Sequence, residues 1–350
     1  MFKIEYYKLN KVVSYNRLIN MIIGARGIGK TYSLKERVIN RFKKNKEKFI
    51  YFRRYSEEIK SIKDKLFDDC VKLLEENESI TTQGNEIFLT TKQFDDSGKE
   101  IKPKKEKIGD FLYMAKSQSI KSASFIEYTT FIFDEFLIED NIHHYFSGEV
   151  ENNFISIVST IVRNYQINQC CKFFLLANSC TKYNPYFEYF HINNLKKNKQ
   201  FYTEFNKQIV VEYVQNDVYV KQIQNTPFYD LIKDTSVVDY IVNNNFYLDD
   251  ETSFIMKNIP EKAGYIATII ADKPYGLYYS PTLEIMWFND KADMTCRNIW
   301  YATIENMKPN VGFIKMSGIA DRIKYYYRNG CLFYNSVKTR NTLRKVIDTF

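Results

Sequence analysis

Short apolar runs separated by amphipathic stretches dominate the first half of the chain. Residues 19–24 predict a buried core strand, and residues 30–42, with apolar positions at helical spacing, predict the helix behind it. Phe49-Ile50-Tyr51-Phe52 predicts a second short strand that ends in Arg53-Arg54-Tyr55. Residues 57–77 are charged and helix-like, and residues 79–115 predict β-structure with a turn at Asp95-Asp96-Ser97-Gly98. Thr130-Phe131-Ile132-Phe133 predicts a buried strand ending on Asp134-Glu135. Residues 152–164 carry Phe154, Ile155, Ile157, Val158, Ile161 and Val162 at helical spacing, and residues 172–178 predict another buried strand with a polar tip. Strands alternating with helices imply an α/β fold, a parallel sheet with helices on both faces. Ligands of such sheets bind at the carboxyl ends of the strands, where Asp134, Glu135 and Asn178 fall.

The pattern changes near Leu195-Lys196-Lys197-Asn198-Lys199. Residues 196–260, with one strand candidate at 209–213 among acidic and Asn-rich turns, read as a connecting or lid region. From Gly264 the chain is β-rich, with strands expected at 265–271, 276–279 and 283–288 and a helix at 318–328. The expected organisation is a first domain over 1–195, a linker or lid over 196–260, and a smaller α+β domain over 261–350.

Of the 350 residues 45% are hydrophobic, enough to pack two cores, and 50 basic against 42 acidic residues leave a net charge of +8. That excess is compatible with a polyanionic partner. Six cysteines form no CxxC pair and three histidines offer no zinc spacing, so reduced thiols are expected. His143 and His144 are adjacent and point in different directions on regular structure. No apolar stretch reaches the length of a membrane span, and the first residues do not resemble a signal peptide.

Gly24-Ala25-Arg26-Gly27-Ile28-Gly29-Lys30-Thr31 is GxxxxGK[ST], set between an apolar run and a helical pattern as a phosphate-cradling loop requires. Glycines let the backbone turn successive N–H groups toward phosphate oxygens, and the helix N-terminus adds partial positive charge. Lys30 is then expected to reach the β- and γ-phosphates of ATP, and Thr31 to offer a hydroxyl to Mg²⁺. An Asp at the tip of a buried strand can hold the Mg²⁺ shell, as expected of Asp134, while Glu135 is placed to polarise a water for attack on the γ-phosphate.

The loop with its preceding Ile22-Ile23, together with Tyr51-Phe52-Arg53-Arg54-Tyr55, Phe131-Ile132-Phe133-Asp134-Glu135-Phe136 and Asn184-Pro185-Tyr186-Phe187, resembles the DNA-encapsidation ATPases of small short-tailed phages with protein-primed linear genomes, the Picovirinae type. The resemblance is strongest over residues 15–190. It implies an ASCE-type P-loop NTPase that forms a ring, a pentamer in the family. Such a ring hydrolyses ATP at subunit seams to move double-stranded DNA through a portal into a procapsid, in the cytoplasm of the infected host and away from any membrane. By matching position, Lys121 corresponds to a lysine donated across the seam, Arg163 to the arginine finger, and Asn178 to the polar sensor. A structural RNA stays open as a further component.

Other readings of these residues stay open. Arg163 also suits a helix C-terminus complementing the dipole. Lys121 suits a solvated loop, and Arg26 suits either phosphate or a neighbouring subunit. Arg53, Arg54, Lys60, Lys63, Lys102, Lys104, Lys105 and Lys107 are candidates for the DNA phosphate backbone, which a translocase grips without reading bases. The family's C-terminal domain resembles a ribonuclease-H-type nuclease without its metal-binding acids. Here the middle of the corresponding strand is Ile266-Ala267-Thr268-Ile269, with Asp272 only at its end, so no nuclease activity is expected. Competing functions are another P-loop translocase or helicase, or a nucleotide-gated adaptor.

Overall fold

The computed structural model describes residues 6–116, 125, 127–138, 145–146, 148–162, 171–179, 184–192, 195, 199–203, 206–214, 216–235, 238, 242, 254–302, 307–308 and 311–347. The chain divides into two compact units, Met1–Tyr247 and Leu248–Phe350.

The first unit is built on a nine-stranded sheet in the order β3-β4-β5-β2-β6-β7-β1-β9-β8. Its strands are β1 (Ile19–Ile23), β2 (Lys48–Arg53), β3 (Glu78–Gln83), β4 (Glu86–Phe94), β5 (Glu100–Tyr113), β6 (Tyr128–Asp134), β7 (Lys172–Ala177), β8 (Phe201–Tyr202) and β9 (Ile209–Tyr213). The strands from β5 to β9 in this order pair in parallel, and antiparallel β3-β4 and β8 flank them. Every residue of β1 is buried, as are five of the six in β2 and in β7, which is why these strands read as mainly apolar runs.

Helices in this unit are α1 (Asn10–Ser14), α2 (Lys30–Asn45), α3 (Ser56–Ile62), α4 (Ile155–Val162), α5 (Pro185–Tyr189), α6 (Asp217–Gln224) and α7 (Pro227–Ile232). Helix α2 buries Leu34, Val38, Ile39 and Phe42 in the same cluster as Ile22, Phe49, Tyr51, Ile132 and Phe174 of the sheet. The helix-like stretch 57–77 is shorter than expected: α3 stops at Ile62, and a 3₁₀ turn, Asp68–Leu73, follows and buries Cys70. The stretch 196–260 is not a single connector. β9 pairs in parallel with β1 and β8 pairs with β9, so these two strands complete the first sheet.

The second unit carries a six-stranded sheet ordered β14-β13-β10-β11-β12-β15. Its strands are β10 (Gly264–Ile270), β11 (Pro274–Ser280), β12 (Ile285–Asn289), β13 (Ile299–Tyr301), β14 (Gly312–Phe313) and β15 (Leu332–Tyr334), with helices α8 (Gly318–Arg328) and α9 (Val337–Ile347). The expected meander β10-β11-β12 is antiparallel, and α8 and α9 bury Ala320, Ile323, Leu343 and Ile347 in one cluster with Ala267, Leu277 and Met286.

A buried carboxyl joins the N-terminal segment to β9. Tyr7 donates its hydroxyl to Glu212, and Gln200 Nε2 donates to the other carboxylate oxygen at 2.9 Å. Burial raises the Glu212 pKa to about 7 despite both donors. Because the folded value lies above the ordinary 4.5, this group's stabilisation is complete below that value and is lost as pH rises through 7. Thermal melts should show unfolding free energy falling by about 3 kcal/mol from acid to alkaline pH through this group, a slope that Glu212→Gln should flatten.

Candidate active site

Parallel register brings four strand tips to one edge. Ile23 of β1 stands opposite Ala177 of β7, Asp134 of β6 opposite Leu176, and Phe52 of β2 opposite Phe133. The next residues along, Gly24, Arg53, Glu135 and Asn178, therefore surround one mouth. A cleft of about 1140 Å³ opens there, lined by Arg26, Gly27, Gly29, Lys30, Thr31, Arg53, Asp134, Glu135 and Asn178 among others.

The loop between β1 and α2 is held in a shape that only glycine tolerates. Gly27 and Gly29 have φ of 78° and 100°, in the left-handed region. A Cβ on Gly27 would lie 2.7 Å from the Tyr219 hydroxyl, which itself donates to the Arg26 carbonyl at 3.1 Å. Lys30 is buried and donates to the carbonyls of Gly24 and Ala25, each at 2.8 Å, and to Asn178 Oδ1 at 2.9 Å. The lysine thus already joins the loop to the β7 tip, two positions that sequence could relate only through family resemblance.

At the β6 tip, Asp134 Oδ2 accepts from Tyr51 Oη at 2.6 Å and Thr31 Oγ1 at 3.2 Å, while Oδ1 accepts from the Glu135 N–H at 3.1 Å. Arg53, at the end of β2, places Nη2 3.5 Å from Asp134 Oδ2 and forms an ion pair through Nη1 with Glu135. Burial would lower the Arg53 pKa, but Tyr51, Asp134 and Glu135 together push it above its ordinary value, so it stays charged. Burial, then the charge of Asp134, drives the Tyr51 phenol well upward, so it remains a hydrogen-bond donor. The Glu135 side chain is 52% exposed and faces the cleft.

Arg53 and Arg54 are corrections to the sequence reading. Expected as surface cations for DNA, they are 8% and 2% exposed, and Arg54 forms a bidentate pair with the buried Glu149. Sheet order sets the β2 tip beside the β6 tip, where Asp134 and Glu135 take up the Arg53 guanidinium, while Arg54, one residue further, is taken up by Glu149. Lys107 is held by Glu86 at 2.6 Å and Asp110 at 2.9 Å, and Lys60 by Glu57 at 3.0 Å. Lys102, Lys104 and Lys105 are exposed on the outer half of β5, with Lys104 3.1 Å from Glu106, and Lys63 is half-buried. Lys121 and Arg163 lie outside the described residues. Tyr51 and Arg53 were missed as partners of the carboxylates; polar groups ending an apolar strand at the ligand-binding edge were the available signal.

A model of the Podovirus DNA encapsidation protein (Gp16) family matches residues 1–348. The chain belongs to this family. It is 26% identical to the DNA packaging protein of Bacillus phage phi29 over 97% of this chain and 96% of that one. With the DNA packaging protein of Bacillus phage B103 the identity is 27%, covering 96% and 97% of the two chains. Among solved structures, the bacteriophage Phi-29 viral genome packaging motor assembly matches with a TM-score of 0.64 and 25% identity, over 97% of this chain and 99% of that chain.

Replacing Arg53 with Met removes the counter-charge from the buried Asp134. Calorimetry or denaturant unfolding should show a loss of about 3 kcal/mol or more. Unchanged stability would mean that this ion-pair cluster does not hold the site.

Proposed function

We propose that this DNA packaging protein hydrolyses ATP at the mouth formed by β1, β2, β6 and β7. The energy moves double-stranded DNA through a portal into a procapsid, with copies of the chain arranged as a ring. The observation that carries this reading is the convergence of Lys30, Thr31, Asp134, Glu135 and Asn178 on one cleft.

The residues fit a triphosphate. The N–H groups at the start of α2 suit a ligand of negative charge, and the Lys30 ammonium has three protons, now given to three oxygens. Phosphate oxygens can replace those acceptors. The Thr31 hydroxyl and Asp134 carboxylate, 3.2 Å apart, suit Mg²⁺ and its water shell. When bound, that ion would offset charge on the β- and γ-phosphates. Glu135, half-exposed at the cleft and ion-paired with Arg53, is placed to orient the attacking water and accept its proton. Asn178 then reports on the γ-phosphate through its contact with Lys30. From the family resemblance, Lys121 and Arg163 are assigned to a neighbouring copy's site, where a cation at the γ-phosphate offsets charge growing in the transition state.

The second unit is read as a ribonuclease-H-like scaffold without nuclease activity. Thr268, in the middle of β10, is fully buried and donates to the Asp293 carbonyl at 2.7 Å, which supports this reading. Charge directs the DNA contact to this unit as well. Residues 308–347 hold nine of the 50 basic residues and one of the 42 acidic residues, which leaves 41 of each sign elsewhere. The whole net charge of +8 therefore falls in the segment that contains α8 and α9. Lys315, Arg322 and Arg328 are exposed there.

Glu135→Gln should bind ATP with near-normal affinity and lose roughly 10²–10⁴-fold in turnover, whereas Lys30→Ala should lose nucleotide affinity. Titration with a fluorescent ATP analogue and phosphate-release kinetics separate the two, and near-normal turnover by Glu135→Gln would refute the assignment. Replacing Lys315, Arg322 and Arg328 with Gln should lower the salt dependence of double-stranded DNA binding, log K against log salt, by up to about three.

A further inference from the structure

Glu135 has φ of 59°, a left-handed conformation that a residue with an unbranched, non-glycine side chain rarely adopts and that surrounding structure must hold. Arg54 supplies that hold. Its Nη1 donates to the Glu135 carbonyl at 3.3 Å and its Nη2 to the Phe136 carbonyl at 2.7 Å. On its other edge, Nε and Nη2 each donate to a Glu149 carboxylate oxygen at 2.9 Å. The Arg54 and Glu149 side chains are 2% and 0% exposed. The remaining capacity of Glu149 is taken by the Tyr186 hydroxyl at 2.7 Å and the Phe146 N–H at 3.0 Å. Phe133 and Tyr145 lie against the guanidinium, with ring centroids 5.6 and 5.0 Å from its carbon.

An ion pair so deeply buried seldom stabilises a fold more than apolar residues of the same volume would, and its use is then to select one conformation. The two carbonyls bonded to Arg54 belong to Glu135 and the next residue. Glu149 opens a π-helical turn, Glu149–Phe154, an uncommon local geometry that often accompanies functional sites. The turn presents the carboxylate inward and runs directly into α4.

We propose that Arg54 and Glu149 are positioning residues for ATP hydrolysis: their ion pair fixes the left-handed backbone at Glu135 and so aims its carboxylate into the cleft. This rests on the catalytic role proposed for Glu135. Neither residue lines the cleft, so both act on the chemical step and not on binding.

The test uses the full-length chain, with ATP turnover measured in single-turnover and steady-state modes and affinity measured with a non-hydrolysable ATP analogue. Arg54→Lys keeps the charge but cannot serve Glu149 and both carbonyls in one plane. It should lower kcat by about tenfold to a hundredfold, as small displacements of a reacting group do, with KM and analogue affinity unchanged. Tyr186→Phe removes one hydroxyl from Glu149 and spares the ion pair, so it should give a smaller fall of the same kind, and it carries the test if Arg54→Lys fails to fold. In a Glu135→Gln background neither change should lower turnover further, because its target is already gone. Unchanged kcat in the folded variants, or losses that multiply in the Glu135→Gln background, would overturn the proposal. Wild-type turnover by Glu135→Gln alone would instead remove the reading on which it rests.

Discussion

The carboxylates of Asp134 and Glu135 stand side by side at the tip of β6 because the Arg53 guanidinium, at the end of the neighbouring β2, reaches both. Without that cation the two negative charges would repel each other at a strand tip where Asp134 is buried. Arg53 lies between Asp134 and Glu135, and Arg54 holds the backbone that follows them. Sheet order makes this possible: β2 and β6 pair in parallel and in a register that brings their tips level. The same register sets Lys30 against the β7 tip, so the loop, Asp134 and Glu135 share one frame.

Much of this frame was legible in the sequence. β1, β2, β6 and β7 are buried on both faces, so each appeared as an apolar run, and the glycines of the loop appeared because the backbone there turns left-handed. The meander of the second unit and α8 were legible through strand and helix periodicity. Strand neighbours were not. A pair of arginines at a strand end reads the same whether it faces solvent or buried acids distant in the chain, and Arg53 and Arg54 were misread for that reason. β9 was expected within a connector because the polar turns around it outweighed five residues, yet all five are buried beside β1. The strands β13, β14 and β15 have two or three residues each, too few to show a period.

The functional groups separate along the chain. The proposed nucleotide site lies in the first unit, at a sheet edge where hydrogen bonds and an ion pair join Thr31, Tyr51 and Arg53 to Asp134 and Lys30 to Asn178. The excess positive charge lies in the second, on a helical segment that makes sequence-independent contact with phosphate chemically simple.

The most direct test of the account is a structure with Mg²⁺ and a transition-state mimic such as ADP with beryllium fluoride. The account predicts the phosphate chain along the amides of residues 27–31 and the Lys30 ammonium turned from the Gly24 and Ala25 carbonyls to phosphate oxygen. Thr31 and Asp134 should face the metal, and Glu135 should stand one water away from the beryllium. A nucleotide bound elsewhere, or a Glu135 carboxylate turned out of the cleft with another residue holding that water, would contradict it.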